Sequence, residues 1–158
     1  MGLRFGIAAL IFGVAFGVRV TAGNDSRPSP QKTTRDKVYS KEQAERGATL
    51  YTKQCERCHD PAKVPEGKKP GPPTIGPKFL DTWQDRTLGE LFSTIFTTMP
   101  SDGATVLSVD ETLDAVAHLL KANGFPEGTT PLKNDEAMKA IVIVKSPVGQ
   151  KSEVKSQK

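Results

Sequence analysis

Cys55-Glu56-Arg57-Cys58-His59 is the stretch that decides how this chain is read. It holds both cysteines of the 158 residues and one of the two histidines. Two thiols three positions apart at a helix end lie on one side of the chain, and the imidazole follows directly. Three chemistries use such a pair: a redox dithiol, half of a zinc site, and covalent haem attachment, whose signature is C-x-x-C-H. A structural zinc site takes four Cys or His ligands. Only His118 remains as a further imidazole, so zinc is poorly supplied. A thioredoxin-like dithiol needs a βαβ setting.

The flanking sequence supplies helices instead. Upstream, Ser40 and Gln43 form a predicted capping box, and Ala44, Gly47, Ala48, Tyr51 and Cys55 recur at helical steps. The spacing predicts a helix over 41–57. Downstream, residues 60–78 hold six prolines and three glycines, which excludes a helix or central strand there. A loop this long inside a domain is functional or wraps something. A second capping box at Thr87 and Glu90 opens a helix with an apolar face of Leu88, Leu91, Phe92, Ile95 and Phe96, ending near Thr97. A third box at Ser108 and Glu111 opens another, with Leu113, Val116, Ala117 and Leu120 as its stripe. Gly124 and Pro126 end it. Asn134 to Ala140 is read as a short helix and Ile141 to Val144 as a strand-like segment laid on the domain.

Haem attachment suits these neighbours. Thioether bonds from Cys55 and Cys58 would hold the macrocycle, and His59 would reach the iron. Its second ring nitrogen needs an acceptor that orients the ring, and the proline-rich loop can supply a backbone carbonyl. The sixth iron position needs a ligand from the far side. Met99, Met138 and His118 are the candidates. Met99 follows an apolar helix and precedes a proline that limits its loop, and it is the expected ligand. Met138 reads as a buried gap-filler, and His118 as a packing histidine at a helix crossing. His/Met ligation favours the ferrous state and raises the reduction potential. Phe79, Phe92, Ile95 and Phe96 are expected to line the pocket.

Composition agrees with a cofactor-filled centre. The chain is 36% hydrophobic and 25% charged, with a net charge of +4. Its first 22 residues hold 15 of the 57 apolar residues, so the remainder has a thin core unless something fills it. Twelve prolines and 14 glycines argue against a long coiled coil. Residues 1–22 carry an apolar run of 14 residues between Arg4 and Arg19, short of the roughly 20 a spanning helix needs. They read as a secretory signal peptide, the alternative being a retained anchor. Removal would leave no stable membrane insertion, and a periplasmic location follows as the expectation. Residues 23–39 read as a flexible linker, 40–126 as the folded domain, and 127–158 as a partly disordered C-terminal extension. Residues 40–126 carry ten basic and twelve acidic groups, and no concentrated basic patch argues for nucleic acid.

Taken together, Cys55-Glu56-Arg57-Cys58-His59, Gly71-Pro72 and Thr98-Met99-Pro100, framed by two helices, resemble class I c-type cytochromes over residues 40–126. The resemblance implies an all-α cytochrome c fold around one haem c, with the first and last helices crossing at a glycine, here Gly47. His118 stands where the family often has an aromatic. It implies that Pro72 accepts a hydrogen bond from His59, with Pro73 and Pro77 as rivals. It also offers Trp83 as a partner for a haem propionate, beside a plain core role. The stretch from Met99 to Pro126 is similar to haem domains of quinoprotein alcohol dehydrogenase systems. The expected function is single-electron transfer rather than catalysis. A periplasmic dehydrogenase is the expected donor, and a terminal oxidase or another cytochrome the acceptor. Two alternatives stand beside it: a haem subunit permanently bound to such a dehydrogenase, and a ligand-binding or peroxidatic haem protein.

Overall fold

Capping chemistry places the helix starts. The computed structural model describes residue 2, residues 31–103 and residues 105–145. Within them lie α1 (Lys41–Gln54), α2 (Glu56–His59), α3 (Pro77–Trp83), α4 (Leu88–Thr98), α5 (Val109–Ala122) and α6 (Glu136–Lys139). The fold is all-α, and the described residues contain no strand beyond isolated bridges. Apart from residue 2, the predicted signal segment 1–22 lies outside the described residues, as do residues 23–30 of the linker and 146–158 of the extension.

The boxes at Thr87–Glu90 and Ser108–Glu111 are complete, each hydroxyl accepting from the third backbone N–H and each carboxylate accepting in return. The one at Ser40 is only half formed. Ser40 accepts from the Gln43 N–H, but the buried Gln43 amide turns to Leu132, accepting from its N–H at 2.8 Å and donating to its carbonyl at 3.2 Å. A long-range partner outcompetes the local one because both backbone groups of Leu132 would otherwise be buried without bonds.

The predicted 41–57 helix is two elements. The α1 helix stops at Gln54, and α2 carries the backbone on to His59. The unforeseen α3 begins inside the proline-rich segment because Pro77 sits in its first turn, where a missing N–H costs nothing.

The dominant packing is α1 across α5, with α4 against α5. At the crossing, Gly47 faces the backbone of Asp114. One residue before it, Arg46 clasps the Asp114 carboxylate with two bonds of 2.8 and 2.7 Å. One turn on, the rings of Tyr51 and His118 meet with centroids 4.9 Å apart. Burial holds the His118 imidazole below its ordinary value of 6.5; Glu56 opposes this and Lys121 adds to it. The unfolded chain therefore binds the proton more readily than the folded one. This contribution is complete above about pH 6.5 and is lost as pH falls through the folded value. Urea midpoints measured from about pH 7.5 to 5 should fall for the native chain, and His118→Phe should flatten that part of the profile.

One segment departs from the sequence reading. The linker expectation fails for residues 31–39. Thr34 and Tyr39 are fully buried, and Thr34 N–H donates to the Val142 carbonyl at 2.9 Å. The Tyr39 hydroxyl donates to the Phe125 carbonyl at 2.6 Å. The extension, expected to be only partly disordered, is part of the domain through residue 145. Leu132, Met138, Ile141 and Ile143 join the core. Ile141 to Val144 is laid on the domain, with Val142 bridging Thr33 on one side and Thr87 on the other. Polarity made 31–39 look like linker, but its backbone groups and several of its side chains pair with the domain.

Candidate functional site

The α2 turn sets the site. The Cys55 carbonyl accepts from the N–H groups of both Cys58 and His59, at 3.0 Å each. This tight turn presents both sulfurs and the imidazole to one cavity. Its wall contains Cys55, Cys58, His59, Gly71 and Pro72 on the near side. Ile95 and Met99 from the end of α4 also line it, with Leu107, Ala115 and Leu119. The cleft is partly open to solvent, and its cavity volume is about 210 Å³.

The proline-rich loop orients the histidine. His59 Nδ1 donates to the Pro72 carbonyl at 2.7 Å. A carbonyl cannot donate, so Nδ1 carries the proton of this bond and Nε2 is the ring nitrogen left for a ligand. The loop is held beside α2 by the Gly71 N–H, which donates to the Cys58 carbonyl at 2.8 Å. A side chain at 71 would begin 3.1 Å from the imidazole, so glycine lets the loop lie against the ring. Further on, Asn123 at the end of α5 receives the Gly76 N–H at 2.8 Å and donates to the Thr74 carbonyl at 3.0 Å. Thr74 also bonds the Tyr51 hydroxyl at 2.5 Å.

The donor set fits one of the three chemistries. Burial pushes the Cys55 thiol up to about 11, and Cys58 and Glu56 push the same way. Redox dithiols have the opposite character, with a thiol pulled down toward neutrality. Among the described residues no three His, Cys, Asp or Glu side chains gather as a metal site, so zinc lacks ligands. An apolar cavity carrying two thiols, an oriented imidazole and a thioether fits haem c.

The structure separates the remaining candidates. Pro73 and Pro77 do not share the His59 bond, which belongs to Pro72. Met138 is buried in the core on α6, and His118 sits at the α1–α5 crossing; neither lines the cavity. Of the four side chains expected to line it, only Ile95 does. Phe79 and Phe92 are in the core, and Phe96 stacks on Phe92 with 39% of its surface exposed. The reason is helical phase: Phe92 and Phe96 lie four apart on one face, and Ile95 and Met99 on another. Trp83 also lies away from the cavity wall, against Phe79 and with the Arg86 guanidinium 4.3 Å over its ring. Sequence reasoning missed Ala115 and Leu119, although their spacing of four along the third helix marks a second apolar edge beside the predicted stripe.

An all-α fold that delivers a C-x-x-C-H turn to an apolar cavity is the arrangement of a c-type cytochrome domain. Residues 42–119 match the family described as cytochrome C oxidase, cbb3-type, subunit III. No curated protein and no solved structure gives a significant match. The match supports haem-based electron transfer between redox partners and implies covalently bound haem c. Among the described residues no helix is long and apolar enough to cross a membrane.

Proposed function

We propose that this chain carries single electrons on one haem c, bound through Cys55 and Cys58 and ligated by His59 and Met99. The observation that carries this is the His59–Pro72 bond, which frees Nε2 beside a cavity whose wall also holds both cysteines and Met99. When bound, the iron supplies a one-electron ferric/ferrous couple. The chain's own residues do the rest. Pro72 fixes the imidazole and raises its basicity. The Met99 thioether favours the reduced state. Leu107, Ala115, Leu119 and Ile95 exclude water from that side. The chain is a carrier and not an enzyme.

Residues 1–22 would direct it to the periplasm and be removed there. Electrons would come from a periplasmic dehydrogenase and pass to a terminal oxidase or another cytochrome. The matched family is described as a subunit of a cytochrome c oxidase, which supports the acceptor side of that scheme. A haem subunit held permanently on a dehydrogenase would use the extension as its strap. The extension's Leu132, Met138, Ile141 and Ile143 are instead built into the domain's own core, which favours the free carrier. A peroxidatic role would require an open sixth position, and Met99 in the cavity wall opposes it.

The test is a haem stain of the denatured chain with a reduced-minus-oxidised spectrum and a potential titration. One covalent haem per chain and a single one-electron transition are expected. A chain secreted in the presence of the haem-attachment machinery that retains no haem after denaturation overturns the proposal.

A further inference from the structure

We propose that Arg57 and Asp102 form a clamp that positions Met99 against the haem face; the inference rests on the His59/Met99 reading above. Arg57 is one of the two residues between the cysteines, and its guanidinium pairs with the Asp102 carboxylate. Asp102 lies three residues past Met99 and lines the same cavity. The pair therefore joins the turn that holds the macrocycle to the loop that supplies the far ligand.

The loop's backbone anchors act within its own element. Met99 N–H donates to the Ile95 carbonyl at 3.0 Å, ending α4. Gly103 N–H donates to the Pro100 carbonyl at 3.2 Å, closing the turn that carries Asp102. Both bonds shape the loop, and neither fixes its distance from α2. The Arg57–Asp102 pair spans that gap, 45 residues apart in sequence. It ties the two cavity walls that carry the opposing ligands. A looser loop would leave the iron–thioether bond in faster competition with external ligands. Because the thioether favours the ferrous state, loosening it would also lower the reduction potential. Both partners are partly exposed, with side chains 45% and 40% accessible, so the clamp is open to screening by salt.

The experiment uses the full haem-loaded chain and imidazole as the competing ligand for the ferric iron. An exposed pair is worth up to about a fivefold change in an equilibrium. Arg57→Gln and Asp102→Asn should each bind imidazole about two- to fivefold more tightly at low salt and titrate at a lower potential. The double variant should match the singles, and the exchanged pair Arg57→Asp/Asp102→Arg should recover part of the native affinity. High salt should move the native chain toward the variants and leave the variants unchanged. Asp102→Asn lies outside the attachment motif, so it reports even if Arg57→Gln impairs haem loading. Native imidazole affinity and potential in the Asp102→Asn protein at low salt overturn the clamp. Met99→Ala separates the two ideas. If it tightens imidazole binding while the clamp variants do not, only the clamp is wrong. If it changes nothing, the ligand reading has failed.

Discussion

Replacing Gly47 with alanine should lower the melting temperature of the haem-loaded chain by about 10 °C or more. A Cβ at position 47 would stand 1.8 Å from the Asp114 carbonyl oxygen, 2.5 Å from its carbonyl carbon and 2.8 Å from the His118 Cβ. Two of those atoms are helix backbone and cannot turn aside as a side-chain tip would. The crossing would have to open by more than 1 Å to bring the first contact to 3.0 Å. Opening it also pulls on the Arg46–Asp114 clasp and separates Tyr51 from His118. Overpacking of this kind costs about 1–3 kcal/mol and sometimes more, a large share of the 5–15 kcal/mol typical of a whole domain. Gly71→Ala is the comparison. Its nearest contact is 3.1 Å from an imidazole ring, so it should cost much less stability while disturbing the His59–Pro72 bond. Calorimetry or thermal unfolding followed by circular dichroism decides. An unchanged melting temperature for Gly47→Ala would mean that α1 and α5 do not touch there.

Met99→Ala should keep its haem, lose the low-spin six-coordinate spectrum and drop sharply in potential. The proposed attachment residues, Cys55 and Cys58, lie elsewhere on the cavity wall and are untouched. Removing the thioether withdraws the ligand that favours ferrous iron. Axial ligation spans about 0.8 V among haem proteins, so a fall on the order of 0.1 V or more is expected. Absorption spectra of both oxidation states and a potentiometric titration measure it. Met138→Leu and His118→Phe should leave the spectrum unchanged, since neither residue reaches the cavity wall. A Met99→Ala protein with native spectrum and potential would remove Met99 from the ligand set and return those two to contention.

The site was legible in the sequence where chemistry is local. Attachment, ligation and capping depend on residue type at short spacing, and such patterns survive in one dimension. Haem as the implied cofactor and the starts of α1, α4 and α5 were therefore readable from cysteine spacing and three Ser or Thr caps. The roles of Phe92 and Phe96 were not readable, because an apolar face says that a residue is covered and not what covers it. Residues 31–39 were misread for a related reason. Residues 31–37 are polar, and they are placed by backbone and side-chain bonds to a segment more than a hundred positions away.

By itself the sequence determined the kind of centre this protein is built around, because two thiols and an imidazole in five residues allow few chemistries. It also determined that the helices must be short and the middle loop stiff. Which proline carbonyl meets His59, which apolar residues wall the cavity, and that Arg57 reaches Asp102 were decided only by the tertiary structure. These are matters of distance between segments that are remote in the chain. Many partners are chemically equivalent in sequence, and only packing brings one of them within bonding range.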